Sequence, residues 1–140
     1  MERSVNWLRV ILVATVLSSI VHYTDNYIRF DEYPQDEPKL ISQPLVAIGW
    51  ASFTVLAVAG YVLYRRGQWR RAALCLAIYS LSGLISPLHY LSGAWSEFDA
   101  LQHTFILADA ACGAAVLAFA AWAVRAKKAP GHPGAFSEAA

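Results

Sequence analysis

The stretch Tyr64-Arg65-Arg66-Gly67-Gln68-Trp69-Arg70-Arg71 packs four arginines into a short linker between two long apolar runs that carry almost no charge. Arginine at the centre of a bilayer is costly, so this linker stays on one side of a membrane. Its brevity makes the flanking runs, 45–64 and 72–91, an antiparallel hairpin. Working outward, two more apolar runs follow the same pattern, at 7–23 and 100–124. Each is near the roughly 17–25 residues that carry a helix across a hydrocarbon core. Backbone groups in lipid must bond within their own segment, and the alternation of a barrel strand is absent. The expected fold class is all-α, a transmembrane four-helix bundle. One four-span domain covers 1–128. The tail 129–140, with Pro130, Gly131, Pro133 and Gly134, is expected to be disordered and cytoplasmic.

The remaining charges sort themselves around these spans. Arg125, Lys127 and Lys128 follow the last run, and Arg3 and Arg9 flank the start of the first. Asp25, Asp31, Glu32, Asp36 and Glu37 fill one linker; Glu97 and Asp99 fill another. With both termini cytoplasmic, only Arg29 and Lys39 of the eleven Lys and Arg fall outside, the bias that orients multi-pass proteins of an inner membrane. The acidic loops then face the periplasm or the exterior. Trp7, Trp50, Tyr64, Trp69, Tyr90, Trp95 and Trp122 fall mostly near span ends, as interfacial aromatics do. A hydrophobic fraction of 57% exceeds the roughly 45–50% of soluble domains. No small-x-small cleavage site follows Val21, so the first helix is expected to be retained. Pro34 and Pro38, with Pro44 just beyond, make the loop 29–43 an irregular lid over the outer face. Cys75 and Cys112 differ in depth by about 10 Å, beyond the roughly 7 Å that a disulfide spans. Both are expected to be free, buried thiols.

Polar residues enter the spans as stripes. Thr15, Ser18, Ser19, His22 and Asn26 recur at helical spacing in the first span, and Tyr79, Ser82, Gly83, Ser86 and His89 in the third. In the fourth, Asp99, Gln102 and Asp109 share a face with His103 on its shoulder. The second span carries only Ser52 and Thr54. Three helices are therefore expected to turn polar stripes toward a shared interior.

At the outer end these stripes gather three of the four histidines beside carboxylates. His22, His89 and His103 are candidate cofactor ligands. Together with Asp25 and Asp99 they are candidate metal ligands, because imidazole and carboxylate suit zinc, iron or copper. His22 with Asp25 or Asn26, and Asp99 with His103, have the spacing of one helical turn. Two histidines from different helices also suit the axial positions of a haem. The same side chains are equally at home among lipid headgroups. His132, in the tail, stands apart.

Asp109 lies about 9 Å deeper than His103 at the helical rise. An ionisable residue at that depth faces the bundle interior and is a functional candidate, with Thr15 or Ser18 and Ser82 as partners of matching depth. It can equally be packing glue. Pro87 removes one backbone hydrogen bond and presses on the carbonyl of Gly83, so a kink there would re-aim His89. Ala110, Ala111, Gly113, Ala114, Ala115 and Ala118 permit close helix contact, within the bundle or between protomers.

The segments His22-Tyr23-Thr24-Asp25-Asn26, Asp31-Glu32-Tyr33-Pro34 and Pro87-Leu88-His89-Tyr90-Leu91-Ser92-Gly93 resemble small bacterial four-helix integral membrane proteins of unassigned function. That resemblance implies the fold and no activity. No serine–histidine–acid spacing, phosphate-cradling glycine loop or Cys-x-x-Cys occurs, and no basic surface with interleaved aromatics invites nucleic acid. Three functions remain open. The first is an outward-facing His/Asp pocket for a divalent metal, haem or small ligand. The second is an oligomeric proton- or cation-coupled transporter using Asp109. The third is a non-catalytic accessory subunit docked to a membrane partner.

Overall fold

Each apolar run becomes a helix, and a few residues explain both ends of α2 and the start of α5. The computed structural model describes residues 2–34 and 41–128; the expected disordered tail and the middle of the proline-rich loop lie outside them. Helix α1 spans Glu2–Ile28, α2 Gln43–Arg65, α3 Trp69–Leu84, α4 His89–Ser92 and α5 Ala100–Lys128, with 3₁₀ turns at Phe30–Glu32, Ser86–Leu88 and Trp95–Glu97. There is no strand among the described residues. Taking α3 and α4 as one interrupted helix, four helices are long and apolar enough to cross a membrane.

Pro44 stands in the first turn of α2, where its missing N–H costs nothing. At the other end of α2, Gly67 adopts φ 77°, while Gln68 N–H bonds Leu63 O at 3.0 Å and Gly67 N–H bonds Tyr64 O at 3.1 Å. This pair of bonds is the Schellman closure, and it turns the chain directly into α3. Helix α5 opens on a reciprocal cap. The Asp99 carboxylate accepts the N–H groups of Leu101 and Gln102, both at 2.8 Å, and the Gln102 side chain accepts Asp99 N–H at 2.9 Å. That is a capping box written as Asp99-x-x-Gln102.

The four long elements pack as an up-down-up-down ring in which α1 touches α2 and α5, and α3 touches α2 and α5. One end of the ring carries Arg3, Arg65, Arg66, Arg70, Arg71 and Arg125; the other carries His22, His89 and His103. Toward the basic end, Leu8, Leu12, Ala57, Tyr64, Leu76, Val116 and Phe119 form the main apolar core. Toward the histidine end a smaller cluster joins Tyr33, Phe98 and Ile106. Toward the middle lies a polar layer of buried side chains, among them Ser19, His22, Ser82, Ser86 and Asp109, and Gln102 is buried at the start of α5.

The outside of the ring inverts the usual order. Val13, Leu17, Val55, Val58, Leu74 and Leu117 are exposed, whereas Asp109 and Gln102 are buried. Helix α2 is the extreme case, with 17% of its most apolar window buried, against 44% for the interrupted α3–α4. α3 is therefore the central helix and α2 the outlying one.

Glycine sets how closely α3 meets α5. A Cβ at Gly83 would collide with the backbone carbonyl of Asp109, and one at Gly113 would stand 2.7 Å from Ser80 O. The two backbones touch at the level of Asp109.

Candidate functional site

The site begins with the break in α3. Pro87 has no N–H, so helical bonding stops after Ile85 N–H to Leu81 O (3.0 Å) and resumes as a 3₁₀ bond from Leu88 N–H to Ile85 O (2.9 Å). The Ser82 carbonyl is left to accept the Tyr23 hydroxyl at 3.3 Å and the Ser86 hydroxyl at 3.4 Å. The sequence reading located this kink, and its effect on His89 follows. His89 is brought against α1, where the Asn26 amide nitrogen lies 3.1 Å from its Nε2. Its ring meets that of His22 edge-on at 5.8 Å between centroids.

His22 itself is 2% exposed, and its Nδ1 has no hydrogen-bond partner among the described residues. Buried imidazole nitrogens are normally paired, so this atom stands out. The stripe on α1 otherwise runs as read from the sequence: Thr15, Ser19 and His22 are buried, and Ser18 is half-buried beside them. Trp50, read as an interfacial residue, instead reaches inward, its Nε1 donating to Ser19 Oγ at 3.3 Å.

His103 belongs to a different group. It stacks on Trp95 at 4.0 Å between centroids, and its Nδ1 is 2.9 Å from the Tyr90 hydroxyl. The path of ring contacts from His89 to His103 runs through Tyr33 and Phe98. The two carboxylates are also engaged elsewhere. Asp25 accepts the Tyr33 hydroxyl at 2.6 Å, and Asp99 is the α5 cap. Both face Arg29, whose guanidinium lies 2.6 Å from Asp99, 2.6 Å from Glu32 and 3.6 Å from Asp25. The hydrogen bonds that Arg29 donates to Glu32 and Asp99 hold it firmly charged. The Gln102 N–H, with Arg29 beside it, keeps the Asp99 carboxyl below the ordinary carboxylate range. Burial, followed by the bond to Asp25, pushes the Tyr33 hydroxyl up.

His22, Asp25, His89, Asp99 and His103 are thus divided between three places. Among the described residues no group of three or more His, Cys, Asp or Glu side chains could hold a metal ion. Cys75 and Cys112 are free and half-buried.

Asp109 is fully buried, with a partner other than the ones expected from depth. Ser86 Oγ donates to its Oδ2 at 3.1 Å, because the 3₁₀ turn draws Ser86 inward toward α5. Thr15 is occupied by the carbonyl of Ile11 at 2.8 Å. Ser82 Oγ and Asp109 Oδ1 have no partner among the described residues.

A pocket of about 420 Å³ opens where α1, α2 and the α3 break diverge. Its polar side consists of His22, Asn26, Ser82, Ser86 and His89, with the Tyr23 and Tyr33 rings beside them. Leu45, Val46, Gly49 and Phe53 of α2 and Ile85 and Leu88 of the break form its apolar side. Asp109 is one hydrogen bond behind it, through Ser86. No family model, curated protein or solved structure matches the chain, so a functional reading rests on this geometry.

The α2 wall was not legible in the sequence, since Leu45, Val46 and Phe53 look like any lipid-facing residues. No periodic pattern marks Tyr33 or Arg29, which sit in an acidic loop, as part of the site. The capping box at Asp99 was available as a local pattern.

Proposed function

We propose that the chain is a multi-pass protein of a cytoplasmic membrane, with both termini cytoplasmic, whose outward-facing pocket binds a small ligand. Insertion is supported by four helices of sufficient length and apolarity and by an exposed aliphatic belt around an interior that includes a buried polar layer. The collection of basic residues at one end supports the orientation.

The observation that carries the ligand reading is His22. A polar ring nitrogen is buried without a partner at the base of a pocket whose volume falls within the roughly 300–1,000 Å³ of small-molecule sites. His89, oriented by Asn26, provides a second imidazole beside it. A ligand polar group seated there would complete the missing hydrogen bond, and Ser82 Oγ offers another. The small-ligand version has more support than the metal version, for which no three His, Cys, Asp or Glu side chains converge among the described residues.

The test is retention of a compound by the purified protein. Protein extracted from membranes into lipid nanodiscs and then denatured should release one non-lipid or minor-lipid compound in near-stoichiometric amount. His22→Leu should release at least tenfold less while remaining helical and monodisperse. Identical extracts from both proteins, matching the bulk lipid, would defeat the reading.

A further inference from the structure

The lining of the pocket fixes the charge its occupant can carry. Among the described residues, none that lines the pocket is Asp, Glu, Lys or Arg. Of the described charged groups at this end of the bundle, Asp25, Arg29, Glu32 and Asp99 are tied to one another or to Tyr33 and the α5 cap, and Asp31 is exposed. A charged ligand would lose its hydration in this pocket and gain no counter-charge from the described lining. Neutral hydrogen-bonding groups meet partners in His22, Asn26, Ser82 and His89, all on one side.

The rim fixes the direction from which the occupant comes. Ile41, Leu45, Ile85 and Leu88 all line the pocket and are all exposed. A mouth that opens to water would expose polar groups; this one exposes four aliphatic side chains on the surface that α2 and the α3 break turn outward. The pocket exists here because α2 stands away from the bundle. After Val46 its next buried residue is Ala57, about three turns on. A Cβ built on Gly49 meets nothing within 4 Å, so this glycine lines open space.

We infer that the occupant is an uncharged, lipid-dissolved amphiphile, a hydrocarbon body with a hydroxyl or carbonyl head, admitted sideways from the bilayer between α2 and the α3 break. Its head lies against His22 and its body along Leu45, Gly49 and Phe53. This rests on the ligand reading above and adds to it the chemical class and the route.

The experiment uses the full chain in phosphatidylcholine vesicles with two photoactivatable probes of the same chain length. One is a long-chain alcohol and the other the corresponding alkyl sulfonate, each bearing a diazirine. Crosslinked peptides are mapped by mass spectrometry, with the lipid-facing Val55 and Leu74 as the background reference. The alcohol should label 45–53 and 82–92 well above that reference, and the sulfonate should not. Gly49→Leu, which fills open space, should reduce alcohol labelling of those peptides by at least tenfold. Ile85→Trp at the rim gives an independent plug. Equal labelling by the sulfonate overturns the assignment of charge. Undiminished labelling in both folded variants overturns the route, and either result leaves the pocket itself standing. Labelling no higher than at Val55 and Leu74 overturns the inference together with the pocket.

Discussion

Asp109 shows what a single buried group demands of its neighbours. It is fully buried, and among the described residues the one side-chain hydrogen bond of its carboxyl comes from Ser86. Removing that hydroxyl leaves a carboxyl oxygen stranded, at a typical cost of about 1–3 kcal/mol. Ser86→Ala should therefore unfold earlier in a denaturant titration in micelles, whereas a Ser52→Ala control, whose hydroxyl only bonds its own helix at Ile48, should not. Coincident curves for Ser86→Ala and the unaltered protein would mean that Asp109 does not depend on this bond. The depth of Asp109 was readable from the sequence by counting residues along a helix. Its partner was not, because Pro87 changes the helical rise locally and draws Ser86 rather than Ser82 to the carboxyl.

At the scale of elements, the contact of α3 with α5 and the start of α5 each rest on one residue. Gly83 lets the two backbones touch, and a methyl group there meets the Asp109 carbonyl rather than a movable side chain. Gly83→Ala should cost about 1–3 kcal/mol, as overpacking does, measured by the same denaturant titration. Gly49→Ala, with nothing in its way, should be neutral or slightly stabilising. The α5 cap makes a different prediction, about acid. Asp99 has a lower pKa in the folded state than its ordinary 3.8. Its contribution is thus fully present above that value and is lost as pH falls through the lower folded value. Amide exchange at Leu101 and Gln102 should accelerate relative to mid-helix amides of α5 as the pH drops below 3.8. Asp99→Asn keeps a capping oxygen without the titration, so the acid-dependent change should disappear. The stripes of α1 and α3 were legible because polar residues recur at intervals of three and four. The far wall of the pocket was not, since an apolar helix shows no face to a reader when lipid and pocket both favour aliphatic side chains.

For the whole molecule, the separation of charge predicts how the chain sits. With Cys75 and Cys112 replaced, a cysteine at Glu97 should react with a membrane-impermeant maleimide added to intact cells, and one at Gln68 only after lysis. The opposite pattern would reverse the orientation and turn the pocket toward the cytoplasm. The three histidines do share one end of the bundle, as counting along the spans implied. They do not share one site, because Tyr33 folds back from the loop and, with Phe98, comes between His89 and His103. No periodic pattern announces a residue that returns from a loop.

The turn at Gly67 also bears on how the protein is made. Only Arg66, Gly67 and Gln68 separate α2 from α3, and arginines on both sides resist translocation. In the proposed orientation α2 has no means of crossing and waiting alone, because its successor must follow at once in the opposite sense. The two helices would then leave the insertion machinery as a preformed pair. In that pair Gly60 already rests against Leu76, before α5 arrives to bury the other side of α3.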